Sequence, residues 1–523
     1  MYTIVAKLTR SGVLRANLLQ SGISVRIVRN SIANLLRGVI SLPIGLLITP
    51  FIIAKIGTIA FGTWALANAF VSYANLLDLG ISSALVRFVA QYKVKGDDDQ
   101  INILLNTAFG IYAIMGVVAF CLLIAGKGWI IANFFHVEGE MKSDVSFVLV
   151  GCLLIFTANL AFSVFASLLD GLQRMDLTNT AAIAGVIINA IGTFIALNLG
   201  CGLRGLVIVS GAVGLVTIGL NMIMSRRVFK ALTLNPLLFH PSYVKTLLGF
   251  SLQVQVPGLA SLVHNQLDKI ILGYFLGLHY VAYYEVASRV ITYLRIIPLQ
   301  IISPIMPAAS ELHADRNSKK VQALYYRSLK YMTVVIAPLF AFVAVFSYPL
   351  IAIWLGPGYE LGAFATRYLA VANLASIMLT SPSFLITVGV GRPRYGVYSA
   401  VVGILLNVTL SVILTANIGF RGAVLGTSLS LILASSYFIL LFHRALHLPA
   451  RETTVKAIGY PTLTCLLVSL IVMGLSRYVH PDMKGLLFLG FIYCLFYLVT
   501  ITKLPFLDRY DLEQIKRYAR FAM

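Results

Sequence analysis

The sequence predicts an all-α integral membrane protein of about fourteen transmembrane helices, two six-helix repeat lobes followed by an appended C-terminal pair. Three observations carry that expectation. The 523-residue chain is 59% hydrophobic and only 11% charged, where a soluble domain carries about 25% charged residues, and its mean hydropathy is +0.90. Apolar runs of roughly 20 residues, the length that crosses a hydrocarbon core, recur along it. The chain also repeats itself: at an offset of 220 residues Gly57, Ala67, Tyr73, Leu79, Ile81 and Ser83 meet Gly277, Ala287, Tyr293, Leu299, Ile301 and Ser303. A second block, offset by 218, places Gly171, Arg174, Gly185 and Asn189 on Gly389, Arg392, Gly403 and Asn407. After a one-residue slip, Gly202, Arg204 and Gly205 fall on Gly419, Arg421 and Gly422.

In order, residues 1–30 are basic (Lys7, Arg10, Arg15, Arg26, Arg29), mildly amphipathic and lack a cleavage-type apolar segment, which predicts an interfacial segment and not a signal peptide. The N-lobe, 31–230, takes its helices from apolar runs at 32–54, 59–79, 101–125, 146–168, 181–200 and 205–224. The C-lobe, 245–443, takes them from 247–272, 281–305, 331–354, 366–388, 396–416 and 421–442. The pair at 457–476 and 485–502 lies in an appended segment, 456–503, that has no counterpart in the repeat, and 504–523 forms a tail. Two repeated membrane halves are the build of transporters whose substrate site alternates its access.

The formal charge of +21 does not call for nucleic acid, because the basic residues follow the positive-inside rule. With the predicted helices, 28 of the 40 lie on the side of the two termini, 8 on the other, and Arg37, Lys269, Arg289 and Arg295 lie within helices. Both termini are therefore expected in the cytoplasm, with the surplus charge attracting anionic lipid headgroups. Cys121, Cys152, Cys201, Cys465 and Cys494 are scattered without pair or metal spacing, so neither a metal nor another cofactor is expected. Asp97, Asp98 and Asp99 resemble a glycosyltransferase metal motif but read better as a solvated loop, and no phosphate-binding glycine loop, nucleophile elbow or zinc helix is present. External loops are too short for a catalytic domain, so an enzyme is not expected.

Ionisable residues inside a bilayer cost about 2.5–3.5 kcal/mol each on insertion scales, and usually face a cavity or a partner. The seventh predicted helix is the most polar, with Gln253, Gln255, His264, Asn265, Gln266, Asp268 and Lys269 around Pro257 and Gly258. Gln253, His264 and Asp268 share a face, whereas the adjacent Asp268 and Lys269 point about 100° apart and each needs a partner on another helix. The eighth carries Glu285, Arg289 and Arg295; Glu285 and Arg289 are spaced for an intrahelical ion pair, and Arg289 and Arg295, about 240° apart, are not expected on one narrow stripe. Arg37 lies near Pro43, which can kink the first helix, although a snorkelling interfacial arginine is the plainer reading. Asp78 with Arg87, and Asp170 with Arg174, flank glycine-containing turns and read as gate or loop-anchoring groups; Asp78 and Arg87 do not face each other unless Gly80 breaks the helix.

The segments Ile56-Gly57, Phe61-Gly62-Thr63-Trp64, Leu76-Leu77-Asp78-Leu79-Gly80-Ile81 and Ala84-Leu85-Val86-Arg87 resemble the amino-terminal signature of Wzx-type flippases, the O-antigen and polysaccharide-repeat translocases of the multidrug/oligosaccharidyl-lipid/polysaccharide (MOP) exporter superfamily. The resemblance implies transfer of an undecaprenyl-diphosphate-linked oligosaccharide across a bacterial inner membrane for surface polysaccharide and lipopolysaccharide synthesis. It also implies coupling to an H⁺ or Na⁺ gradient and assembly partners such as a polysaccharide polymerase. On that reading Arg37, Lys269, Arg289 and Arg295 hold the diphosphate. Gln253, Gln255, Asn265, Tyr73, Tyr284 and Tyr293 hydrogen-bond or stack on sugars, and Asp268 or Glu285 is the coupling carboxylate. The competing expectation is a cation-coupled drug antiporter, or a lipid II flippase, of the same superfamily. Four in-membrane cations against two acids favour an anionic ligand over a cationic drug.

Overall fold

The computed structural model describes residues 22–235, 238–302, 305–314, 318–392, 394–446, 455–480 and 482–503. Residues 1–21 of the basic leader and the 504–523 tail lie outside them, as do the side chains of 248–261, including Gln253 and Gln255. The described residues are helical, without a strand among them, and form a multi-pass membrane protein. Two compact units divide between Gln255 and Val256.

The first unit opens with α1, Gly22–Tyr73, which breaks at Gly57. There φ is 80° and ψ 166°, a backbone conformation that only glycine adopts cheaply, so α1 is two limbs matching the first two predicted helices. A tight 3₁₀ turn, Ala74–Asp78, and left-handed Leu79 and Gly80 (φ 47° and 79°) then redirect the chain into α2, Ile81–Lys95. The hydropathy reading omits α2. It is a short amphipathic helix whose Ile81, Ala84, Leu85 and Val89 are buried, one apolar stripe at helical spacing. The remaining helices are α3 (Asp98–Ile130), α4 (Glu140–Gly171), α5 (Met175–Asn198) and α6 (Gly202–Val228). Asp97 caps α3 by accepting the Gln100 amide at 3.1 Å, and Asp98 and Asp99 occupy its first turn, where negative charge complements the helix dipole. The Asp-x-Asp stretch is thus a helix start. Ile81, Leu85, Leu104, Tyr112, Phe165 and Leu168 knit α2, α3 and α4 into one core.

The second unit holds most of α7 (Pro241–Phe275), then α8 (Leu278–Ile302), α9 (Ile305–Ala314), α10 (Ser318–Val345), α11 (Ser347–Leu355), α12 (Glu360–Gly389), α13 (Arg394–Ile418), α14 (Phe420–Leu446), α15 (Tyr460–Leu475) and α16 (Met483–Lys503). The predicted spans fall on helices, except that 331–354 is divided between α10 and α11 at Phe346 and 281–305 ends beyond the described part of α8; α15 and α16 pack against each other and on α10. Eleven described segments are long and apolar enough to cross a membrane; the first, Leu36–Lys95, takes in both limbs of α1, and α7 and α8, which hold the charged residues, are not among the eleven.

The repeat extends to individual hydrogen bonds. Gly277, counterpart of the break at Gly57, has φ 95°. At the end of α4 the Gln173 amide donates to Asp170 O at 3.0 Å and the Arg174 amide to Leu169 O at 2.8 Å; at the end of α12 Gly391 donates to Val388 O at 3.0 Å and Arg392 to Thr387 O at 2.8 Å. The glycines before these turns face equivalent neighbours. A Cβ on Gly171 would lie 3.0 Å from Val86 O and 2.8 Å from Val89 Cβ, and one on Gly389 would lie 2.7 Å from Met306 O and 2.9 Å from Ala309 Cβ. At the offset of 220, α9 is the counterpart of α2.

Candidate functional site

The charged residues converge on the α7–α8 hairpin, whose turn is made at Gly277. His264, Asn265, Asp268 and Lys269 follow the i, i+1, i+4, i+5 pattern on α7, and Tyr284, Glu285, Ser288 and Arg289 repeat it on α8. Two adjacent stripes therefore oppose two adjacent stripes. Lys269 Nζ donates to Glu285 Oε2 at 2.8 Å and Arg289 Nε to Glu285 Oε1 at 2.9 Å, so two cations share one carboxylate. Asp268, fully buried, takes a separate set: Tyr284 OH and, at 2.5 Å, Thr427 Oγ1 of α14 both donate to its Oδ2. Asn407 Nδ2 of α13 supports that hydroxyl, reaching Thr427 Oγ1 at 3.2 Å and Ser430 Oγ at 3.3 Å. Adjacent in sequence, Asp268 and Lys269 thus serve different partners, as their angular separation requires. Among the described residues Asp268 Oδ1 accepts no hydrogen bond.

A cavity of about 240 Å³ opens onto this cluster, walled by Lys269, Glu285, Arg289, Tyr293 and Arg295, with Asn265 and Tyr284 also at its surface. A second cavity, of about 340 Å³, shares His264, Asn265 and Arg295 with it and extends among α12, α13 and α14. Asp268 lines neither. Arg289 and Arg295 both face the smaller cavity, against the expectation from their angular separation, because long side chains reach around a helix from off-axis positions. Ser288, Thr292 and Asn373 also contribute to its wall; sequence reading missed them because a single hydroxyl or amide in an apolar helix leaves no periodic signal.

Arg37 and Tyr73 belong to the first unit and line neither cavity. Arg37 is exposed on the first limb of α1, near enough to act electrostatically on Asp170. Asp78 accepts from the Ser82 amide at 3.1 Å, Ser82 Oγ at 2.7 Å and Tyr112 OH at 2.5 Å, anchoring the start of α2. The break at Gly80 occurs, and Arg87 lies over the Phe88 ring, 5.7 Å from its centroid. Asp170 accepts from Thr178 Oγ1 at 2.9 Å, while Arg174 and Arg29 converge on Asp176 at 3.1 Å and 3.3 Å. Each pair named from sequence is therefore split between other partners. The five cysteines are free thiols, and among the described residues no His, Cys, Asp and Glu side chains group as a metal site.

Residues 20–361 match the polysaccharide biosynthesis protein family. A Shigella flexneri protein described as "Putative O-antigen transporter" is 25% identical over 348 residues, covering 65% of this chain and 79% of its own. A Haloferax volcanii protein described as "Probable flippase AglR" is 22% identical over 404 residues, covering 75% and 78%. Among solved structures, the lipid II flippase MurJ in an inward closed conformation aligns with a TM-score of 0.68 at 16% identity, covering 90% of this chain and 98% of that one. An inward-facing multidrug resistance MATE family transporter of the MOP superfamily aligns at 0.61 and 18%, covering 82% and 99%. The chain belongs to the polysaccharide biosynthesis protein family, on a fold it shares with transporters of the MOP superfamily.

Proposed function

We propose that this protein flips a lipid-linked oligosaccharide, carried on undecaprenyl diphosphate, from the cytoplasmic to the periplasmic leaflet of a bacterial inner membrane by alternating access, and that it is a transporter and not an enzyme. The observation that carries the reading is the charge of the smaller cavity, where Lys269, Arg289 and Arg295 oppose the single carboxylate of Glu285. A diphosphate needs fixed cations to replace its water, and arginine supplies paired donors in a planar fork that matches phosphate oxygens. Glu285 holds Lys269 and Arg289 in place while the site is empty and competes with the ligand for them, which favours release after transfer. Asn265, Tyr284 and Tyr293 line the same cavity as these cations. Gln253, Gln255 and Tyr73 complete the sugar-binding set proposed from sequence, and Arg37 the cationic set.

Among the carboxylates, Asp268 suits ion coupling better than Glu285: one of its oxygens is without a donor and it has no cation within ion-pair distance among the described residues, whereas Glu285 is committed to two. H⁺ or Na⁺ at Asp268 would alter the hold of Tyr284 on α8 and Thr427 on α14. Asp78, Arg87, Asp170 and Arg174 anchor or gate turns of the first unit. Membrane lipids surround the protein, a polysaccharide polymerase is its expected downstream partner, and no nucleic acid or cofactor takes part.

The test is complementation of polysaccharide export in a flippase-null strain at matched membrane levels, with wild type, Arg37→Ala, Asp268→Ala, Arg289→Ala and Arg295→Ala. Surface polymer with wild type, lost with Arg289→Ala and Arg295→Ala as the lipid-linked repeat accumulates, is the expected result. Drug resistance conferred by the wild type, with no export of several different repeats, would replace the reading with a cation-coupled drug antiporter; rescue of peptidoglycan precursor transfer alone would replace it with a lipid II flippase.

A further inference from the structure

The larger cavity has a chemistry distinct from the charge cluster beside it. Its wall is hydroxyl-rich, with Ser376, Thr380, Ser399 and Ser435 from α12, α13 and α14, and among the described residues no carboxylate lines it. Three of those hydroxyls spend their protons inward: Thr380 Oγ1 donates to Ser376 O at 2.7 Å, Ser399 Oγ to Ala434 O at 2.9 Å, and Ser435 Oγ to Ser376 Oγ at 2.8 Å. What remains for the cavity is their oxygen lone pairs. Asn407, 0% exposed, is at the same wall; its amide nitrogen is occupied by Thr427 and Ser430, and its Oδ1 accepts no hydrogen bond among the described residues. A buried acceptor left without a donor is unfavourable, so the wall asks for a ligand rich in O–H donors. Phe384 and Phe438 add an apolar surface on the same cavity.

We infer that this cavity is a carbohydrate subsite that takes the sugar bonded directly to the diphosphate. A sugar ring has an edge of hydroxyls for Asn407, Thr380 and Ser399, and a C–H face for the phenylalanines. An organic cation would find no carboxylate here, and an acyl chain would leave the acceptors unmet. The volume of about 340 Å³ falls in the range of small-ligand sites, about 300–1,000 Å³. Arg295, His264 and Asn265 line both cavities, so a phosphate held by Arg295 places its ester-linked sugar on the hydroxyl side. The inference rests on the proposed diphosphate-lipid reading and adds to it where sugar choice is made.

The experiment measures binding to the purified full-length protein in nanodiscs of two probes, undecaprenyl diphosphate and undecaprenyl diphosphate bearing one N-acetylhexosamine, for wild type, Thr380→Val, Ser435→Ala and Arg295→Ala. The expected result is that wild type binds the sugar-bearing lipid about tenfold more tightly, that Thr380→Val and Ser435→Ala lose most of that difference while keeping their affinity for undecaprenyl diphosphate, and that Arg295→Ala weakens both. Thr380→Val is near-isosteric and Ser435→Ala removes one oxygen, so unchanged binding of the sugar-free lipid also reports an intact fold. Equal affinity of wild type for the two probes, or a sugar preference that survives both cavity variants, would overturn the subsite while leaving the diphosphate site standing. Absence of binding to either probe would bring down the diphosphate reading and the subsite with it.

Discussion

Glu285 accepts from Lys269 and Arg289 while only 13% of its side chain is exposed, so the three charges form one unit, and the cost of breaking it depends on which member is removed. Glu285→Gln leaves two cations uncompensated in a site largely closed to solvent, and a broken buried pair costs about 3–5 kcal/mol. Lys269→Met leaves Glu285 paired with Arg289 and removes one desolvated ammonium, so its cost should be smaller. Thermal unfolding of the purified protein should show a clearly larger fall in midpoint for Glu285→Gln than for Lys269→Met; the reverse order would mean that Lys269, not Glu285, organises the cluster. The Glu285–Arg289 pair was legible in the sequence because it lies on one helix. The partners of Asp268 were not: Thr427 is 159 residues away, and a threonine in an apolar helix carries no mark of the carboxylate it serves.

At the scale of the element, the ends of α4 and α12 are held by glycines against the backbones of α2 and α9. Gly171→Ala and Gly389→Ala would each press a methyl group against a carbonyl oxygen, Val86 O and Met306 O respectively, which flexible side-chain movement cannot relieve. Each should cost about 1–3 kcal/mol, read as a lower unfolding midpoint, and a null effect at both would show that α2 and α9 slide freely. The segment after α6 is tied down differently. Asn102 donates to Ala231 O at 2.8 Å and accepts from the Thr233 amide at 3.0 Å, and Asn106, one turn on, donates to Thr233 O at 2.8 Å and accepts from the Asn235 amide at 2.9 Å. These amides bind the linker to α3 as a neighbouring strand would. Water can replace such bonds at an exposed loop, so the stability cost of Asn102→Ala with Asn106→Ala is small, about 1 kcal/mol per bond at most; the expected change is several-fold faster tryptic cleavage at Lys230. Equal cleavage rates would show that other contacts hold the segment. Hydropathy pointed to every spanning helix but not to α2 or α9, since a short amphipathic helix after a span blends into its polar flank.

For the whole molecule, the distribution of basic residues predicts both termini on the cytoplasmic side. A phosphatase reporter that is active only in the periplasm, fused after Met523, should be inactive, and the same reporter placed in the connection between α3 and α4 at 136–139 should be active; activity at Met523 would invert the topology and the direction assigned to transport. The amino-acid sequence alone determined the membrane character and the repeat, because the first is written in local composition and the second in self-similarity at a constant offset; it predicted about fourteen spans, where eleven described segments are long and apolar enough to cross a membrane. It also named Lys269, Glu285, Arg289 and Arg295, because charge in an apolar helix stands out against its surroundings. Only the tertiary structure decided that these four share one cavity, that Asp268 is set apart behind it, and that an acceptor-rich cavity adjoins it. Those facts depend on which helix faces which, and on contacts between helices, such as Thr427 to Asp268 across 159 residues and Ser435 to Ser376 across 59, that no periodicity in the chain can record.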